Sequence, residues 1–422
     1  MKFYRPLLLA LIEGLKLVID DHKIASKVLE SIFKSNKKWG SKDRKAFAES
    51  FYEIVKWQLL LKSIIKTRFD PDWDLLVVFY LTQKGYLIES SHSLERQSLF
   101  SDVIKFSKQI SLTSHGADFG SELEIDSKSN FEFNNLTVYE KYSFSESLHK
   151  IAVEELDDVE TFYKESQKEA PLFIRANSHL ISVNELENKL DDEGYSADPS
   201  DHWPYGLRFR QKTNVFKSDA FKNGLFEVQD GGSQLISEFL KVEPGHFIID
   251  ACAGGGGKTL HLSNLSQNKG RILSMDVHQW KLDELKKRAR RNQCHNIETR
   301  MIESTKVIKR LKDKADRLLL DVPCTGSGVF RRNPDAKYKW SDQSFSEIKE
   351  LQKKILDEYN GMVKVGGKMV YSTCSAFRSE NQVCVQNFLS LNENWALEEE
   401  KFISVGENGF DGYYMARLIR NH

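Results

Sequence analysis

Phe247-Ile248-Ile249-Asp250-Ala251-Cys252-Ala253-Gly254-Gly255-Gly256-Gly257-Lys258-Thr259 decides the fold. A short apolar run breaks on four consecutive glycines, and a helix-compatible segment follows. Strand, glycine loop and helix in that order open a parallel α/β sheet. The glycines let the backbone approach a ligand closely, with a helix N-terminus behind it. A phosphate-binding P-loop is excluded, because the glycine it needs five positions before Gly257 is Cys252. A nicotinamide fingerprint fits loosely, since a run of glycines satisfies almost any spacing.

Downstream the same alternation continues. Strands are expected at 246–251, 271–276, 298–301, 316–321 and 367–373, with helical segments between them. The last two strands, Trp395–Phe402 and Tyr413–Ile419, are separated by a short polar turn and suit an antiparallel pair at one edge. Asp276 ends the strand after the glycine loop, where an acid suits the two hydroxyls of a ribose. Nicotinamide and S-adenosylmethionine cofactors both carry that ribose, and Asp276 would serve equally as a helix cap. Two thiols stand where strands end: Cys324 in Asp321-Val322-Pro323-Cys324, and Cys374 in Ser372-Thr373-Cys374-Ser375. Ligands of open α/β sheets bind beyond the carboxyl ends of the strands. A lone cysteine is most often a small buried hydrophobe. Two of them beside a glycine loop point to a cofactor-dependent enzyme with a cysteine nucleophile.

Upstream the texture differs. Residues 1 to about 90 carry apolar residues at helical spacing in Ile24–Ile32 and Phe47–Ile65, with Ser41 as a helix N-cap. Lys2 and Arg5 before Leu7–Ile12 have a faint signal-peptide shape. Glu13 and Lys16 interrupt it, and an amphipathic first helix is the reading. The polar stretch 111–137 reads as a linker, and Ser145 to Lys168 as helix. From Pro171 a small α+β subdomain is expected, with strands at Leu172–Arg175 and Leu207–Phe209, a helix at Val183–Gly194, and then the helix Gln234–Leu240. Three domains result: 1–140, 141–232 and 233–422.

The chain has 422 residues, with Lys plus Arg and Asp plus Glu balanced at 61 each. Polyanion binding must therefore use local patches. One candidate is Arg331-Arg332-Asn333-Pro334-Asp335 with Lys337 and Lys339, interleaved with Phe330, Tyr338 and Trp340, which suits phosphates and stacked bases. A second, Lys286-Lys287-Arg288 with Arg290-Arg291, reads as a solvated helix face. Five cysteines without a CxxC argue against a disulfide framework and against a metal site. Reduced thiols fit the cytoplasm, no apolar run reaches membrane-spanning length, and the chain is expected to be a monomer.

Together the motifs resemble the RsmB/Nol/Sun family of RNA (cytosine-5) methyltransferases. The resemblance rests on Gln229-Asp230, the Gly-Gly-Lys-Thr loop, Asp-x-Pro-Cys, Ser-Thr-Cys-Ser followed by Glu380-Asn381, and the terminal Gly409-Phe410-Asp411-Gly412-Tyr413-Tyr414. Trp39-Gly40-Ser41-Lys42-Asp43-Arg44 is also similar to the NusB-like RNA-binding domain of bacterial members. The resemblance implies a Rossmann-like class I methyltransferase sheet, a small α+β (RRM-like) subdomain and an N-terminal all-helical domain. It implies S-adenosyl-L-methionine as cofactor and RNA, ribosomal RNA above all, as partner, with 5-methylcytosine as product. By family position Cys374 is the nucleophile, Cys324 assists product release, and Asp321 and Lys258 lie near the target base and the cofactor's methionine end. The cofactor site would comprise Cys252, Ala253, Gly254, Gly255, Gly256, Gly257, Lys258, Asp276, Glu303 and Asp321. Two departures stand out. Gly254-Gly255 replace the family's Ala-Pro, which removes stiffness from the loop. Glu303, the nearest acid after the third strand, is one residue out of register. Two other readings remain open here. A DNA cytosine-5 methyltransferase would use the Pro-Cys thiol as nucleophile, and a ribosome-assembly factor would bind RNA without methylating it.

Overall fold

The computed structural model describes residues 2–88, 94–110, 135–199, 204–211 and 213–422. It divides into two compact units, Met1–Glu169 with Phe330–Asp342, and Ala170–Val329 with Gln343–His422.

The first unit is helical. Helices α1 (Arg5–Ile19), α2 (Ala25–Ser35), α3 (Ser41–Lys66), α4 (Trp73–Gln83) and α5 (Leu94–Gln109) are followed by α6 (Glu146–Glu155) and α7 (Val159–Ser166). In α1 the apolar residues Leu7, Leu8, Leu11, Ile12, Leu15 and Val18 form one buried stripe at helical spacing. Helix α4 is buried from Leu75 through Leu81 and forms the centre of the bundle. Its first turn is capped by Asp72, whose carboxylate accepts from the Leu75 N–H at 2.8 Å. The N-cap of α3 is Gly40 rather than Ser41: Asp43 Oδ2 accepts from the Gly40 N–H at 3.3 Å, so an acid in the first turn takes the role expected of the serine hydroxyl. Of the expected linker 111–137, residues 111–134 lie outside the described residues.

The stretch 330–342 is a structural part of this unit, and Phe330, Lys337, Tyr338 and Lys339, read as contacts for phosphates and bases, are used inside it. Phe330 is buried with its ring edge-on to Phe144 and Phe162. Lys337 is 1 % exposed, and its ammonium donates to Lys56 O at 2.6 Å and lies over the Phe144 ring. Burial pushes its pKa well below the usual lysine range. Tyr338 donates to Lys56 O at 3.1 Å, and Lys339 pairs with Asp335 at 2.6 Å. In these four residues charge and aromatic content alike are used inside the fold, a choice that composition alone does not reveal.

The second unit holds two sheets. Strands β1 (Phe173–Ala176), β2 (Ala197–Pro199), β3 (Gly206–Phe209) and β4 (Phe226–Val228) pair antiparallel in the order β2-β3-β1-β4, with helix α8 (Val183–Asp192) between β1 and β2. Helix α9 (Gly231–Phe239) then leads into the large sheet. That sheet comprises β5 (Phe247–Asp250), β6 (Arg271–Asp276), β7 (Ile297–Met301), β8 (Ala315–Asp321), β9 (Val363–Thr373), β10 (Trp395–Ile403) and β11 (Tyr413–Arg420), with strand order β10-β11-β9-β8-β5-β6-β7. Five strands are parallel, and β11 pairs antiparallel with both β9 and β10. The expected edge pair is therefore present, and its inner member closes onto the parallel core. Helices α10 (Gly257–Leu265), α11 (Gln279–Arg291), α12 (Asp342–Tyr359) and α13 (Gln382–Leu391) complete the unit. Strand order reverses at β5, which has β6 on one side and β8 on the other. A crevice at such a switch point, beyond the strand ends, is where this architecture takes its ligands.

Candidate active site

Three strand ends meet there. From β5 the chain passes through Ala251–Gly256 into α10. Gly256 takes φ 88°, and a Cβ on it would lie 2.5 Å from Leu285 Cγ, so only glycine lets the loop pack on α11. Gly254 also has positive φ, and nothing lies within 4 Å of where its Cβ would be. The loop is clamped from behind by two arginines. Arg288 Nη1 donates to Gly255 O at 2.7 Å, and Arg175 Nη1 donates to Gly257 O at 2.9 Å. Both belong to a buried network: Arg288 and Arg291 pair with Glu227, and Arg175 donates to Gln229. The basic cluster on α11 is thus divided. Arg288 and Arg291 point inward, while Lys286 and Lys287 pair on the surface with Asp283 and Glu284.

Asp276 at the end of β6 is 6 % exposed. One oxygen accepts from the Gly254 N–H at 3.0 Å and the other from the His278 N–H at 2.8 Å, and Lys281 stands 3.6 Å away. Asp276 therefore ties the glycine loop to β6. Glu303 lies exposed beyond β7, with no hydrogen bond or ion pair among the described residues, and is not brought into this cluster.

On the other side of the switch point, Asp321 and Ser372 are register partners on β8 and β9. Asp321 Oδ2 pairs with Lys258 Nζ at 2.6 Å, and Asp321 Oδ1 accepts from Ser372 Oγ at 3.0 Å. Burial opposes the charge on Lys258, but the contact with Asp321 outweighs it, and the lysine pKa is raised. Just past these strands, Cys324 Sγ and Cys374 Sγ lie 3.3 Å apart, both thiols free and half-buried. The Cys324 pKa is pushed well up by its hydrogen bond to Cys374, by burial and by the charges of Cys374 and Glu380. Cys324 accordingly holds its proton. Cys252, Cys294 and Cys384 are all raised by burial and lie off this pair.

Lys258, Asp321, Cys324 and Cys374 thus form one cluster, and the glycine loop with Asp276 forms an adjoining cradle. Backbone with open space at Gly254, a carboxylate at Asp276 and a fixed Lys258–Asp321 pair fit a ligand bearing a ribose and an amino-acid end. The roles of Arg175 and Glu227 went unread in the sequence, the one available signal being Gln229-Asp230 ahead of α9, and the reading of Arg288 as part of a solvated face is corrected by its contacts with Gly255 and Glu227.

Two expectations follow from the loop. Gly255 has φ outside the positive range, its N–H enters no hydrogen bond among the described residues, and a Cβ there would meet Arg288 Nη1 alone, at 3.3 Å. Gly255→Ala, which keeps that N–H for a ligand, should therefore stiffen the free loop and tighten cofactor binding by roughly two- to fivefold, measurable by calorimetry. Asp250 is 1 % exposed, one of its oxygens accepts from Thr259 Oγ1 at 2.7 Å, and the other has no partner. Burial pushes its pKa from 3.8 up to about 7. A raised carboxylate pKa means that the folded state binds the proton more tightly, so its stabilising share is full below 3.8 and is lost as pH rises through about 7. Asp250→Asn imitates the protonated form. Its melting temperature relative to wild type should climb between pH 5 and pH 8, and a difference that stays flat with pH would refute the assignment.

Comparison with known proteins agrees with this geometry. Residues 237–420 match the family model "16S rRNA methyltransferase RsmB/F", and residues 154–216 match the ferredoxin-like domain of RsmF/B-like methyltransferases. The chain is 33% identical over 263 residues to ribosomal RNA small subunit methyltransferase B of Pasteurella multocida, covering 59% of this chain and 58% of that protein. It is 29% identical over 288 residues to the probable methyltransferase B of Synechocystis, covering 67% and 64%. The chain therefore spans less than two thirds of the length of these curated relatives. Among solved structures, PH0851 superimposes with TM-score 0.77 at 23% identity over 100% of both chains. NSun6 from Pyrococcus horikoshii, solved with SFG, gives 0.61 at 19% identity over 67% of this chain and 99% of that one. At those identities the likeness speaks to the fold.

Proposed function

The chain belongs to the 16S rRNA methyltransferase RsmB/F family, and on that premise we propose that it forms 5-methylcytosine in ribosomal RNA by way of a covalent adduct on Cys374. The observation that carries this reading is the pair of sulfurs 3.3 Å apart at two strand ends, beside the Lys258–Asp321 pair. Cytosine C5 is a weak nucleophile. Addition of the Cys374 thiolate to C6 makes C5 enamine-like and divides one hard step into two easier ones. Asp321 would hydrogen-bond the base edge and stabilise the adduct. The C5 proton then leaves to water, Cys374 is expelled as the C5–C6 double bond re-forms, and the protonated Cys324 would assist that release by hydrogen-bonding the departing sulfur.

S-adenosylmethionine, when bound, supplies the electrophilic methyl group. The glycine loop would hold it through backbone donors, Asp276 would take its ribose hydroxyls, and Lys258 and Asp321 would lie at its methionine end. The target base must be unstacked to bring C6 onto Cys374, which favours a loop or a transiently opened site over a stable duplex.

The test is methyl transfer from S-adenosylmethionine to small-subunit ribosomal RNA, with the product nucleosides identified by mass spectrometry. 5-Methylcytosine in RNA, and none in a DNA of the same sequence, is the expected result. Methylation of the DNA would overturn the reading. RNA binding with neither cofactor binding nor methyl transfer would favour an assembly factor instead.

A further inference from the structure

One carboxylate joins the two thiol-bearing loops. Glu380 sits in the single turn Arg378–Glu380, and none of its surface is exposed. Its Oε1 accepts from the Thr325 N–H at 2.8 Å and from Gln352 Nε2 at 2.9 Å. Its Oε2 accepts from Thr325 Oγ1 at 2.5 Å and from the Ser375 hydroxyl. Thr325 directly follows Cys324, and Ser375 directly follows Cys374. The same Gln352 amide donates to Pro323 O at 2.9 Å, on the other side of Cys324. Ser327 Oγ lies 3.0 Å from Ser375 Oγ and accepts from the Ala376 N–H at 2.8 Å. Asn381 secures the second loop, accepting from Thr373 Oγ1 at 2.5 Å and donating to Ser375 O at 2.9 Å. Among the described residues Glu380 has no ion pair, so its four donors are all neutral.

We propose that Glu380 is a positioning residue for the reaction inferred above: by accepting from the residue after each thiol, it fixes the separation and mutual aim of Cys324 and Cys374. A positional role makes a specific demand on the side chain. The partners of Oε1 are an N–H and an amide, which donate and cannot accept. The partners of Oε2 are two hydroxyls, which do either. Glutamine therefore fits, with its carbonyl in place of Oε1 and its NH₂ facing the hydroxyls. Alanine leaves four buried donors without this acceptor and removes the one link that reaches the residue after each thiol, leaving Ser327 and Gly328 to hold the loops together at a greater distance from Cys324. A misplacement of about 1 Å at reacting groups costs roughly 100-fold in rate.

Two readouts test this on the full-length protein. Diamide takes up the two thiol hydrogens and both electrons as the Cys324–Cys374 disulfide forms, becoming the hydrazine, and peptide mass spectrometry follows the bond. Wild type and Glu380→Gln should cross-link at rates within about threefold of each other, Glu380→Ala about tenfold or more slowly, and Ser375→Ala in between. Folded Glu380→Ala cross-linking within threefold of wild type would overturn the proposal, as would Glu380→Gln as slow as the alanine variant. If Glu380→Ala fails to fold, Ser375→Ala at the wild-type rate would overturn it. In the RNA assay Glu380→Ala should lower kcat by roughly 100-fold with KM for RNA and Kd for S-adenosylmethionine within about threefold, and Glu380→Gln should restore most of it. A wild-type enzyme that transfers no methyl group would overturn the assigned function, while the cross-linking arm would still decide the role of Glu380.

Discussion

Cys374→Ala is expected to lose methyl transfer to RNA by roughly 10⁴-fold or more, because no other sulfur can take its place at C6. Cys324 is close by, but it holds its proton, and it stands on the Pro323 side of the site, on the other strand's loop. The loss should be confined to chemistry. Cys374 is half-buried, and the loop that carries it is held by the side chains of Ser375, Glu380 and Asn381 rather than by its own sulfur. Melting temperature, cofactor affinity measured by calorimetry and RNA affinity measured by filter binding should all stay near wild type. Residual turnover above about one part in a thousand would move the nucleophile elsewhere.

Cys324→Ala should behave in the opposite sense. Cys374 remains, so the adduct still forms and the methyl group is still transferred. What is missing is the thiol at 3.3 Å that would hydrogen-bond the departing Cys374 sulfur and let the Cys374–C6 bond break. The expected kinetics are a burst of about one methyl group per enzyme followed by a stall, with enzyme and RNA migrating together on a denaturing gel. Ribonuclease should collapse that band. Steady turnover by Cys324→Ala would show that release of the product does not need the Cys324 sulfur.

The sheet was legible because its strands are continuous apolar runs ended by chemically distinctive residues. Ile248-Ile249-Asp250 and Leu318-Leu319-Leu320-Asp321 announce both the strand and the point where it stops. The edge pair was legible from the short turn before Tyr413. Strands β2 and β4 escaped notice because three residues give no period to read. The site was legible in part for a related reason. Cysteines, glycines and acids at strand ends are visible one at a time, but the groups that hold them act across long separations. Arg288 reaches Glu227 across 61 positions and Arg175 reaches Gly257 across 82. Nothing in Lys286-Lys287-Arg288 distinguishes the residue that turns inward, and nothing in Lys337-Tyr338 says that its charge will be buried against Lys56 O. Glu380-Asn381 was visible as a motif, but its partners on the Cys324 loop were not.

The central claim is that one sulfur carries the nucleotide and the other removes it. The most direct test digests the complex trapped by Cys324→Ala with ribonuclease and protease and sequences the modified peptide by mass spectrometry. The account predicts a methylated cytidine nucleotide on the peptide containing Cys374. A complex that forms instead with Cys374→Ala, carrying the nucleotide on Cys324, would reverse the two roles and contradict it.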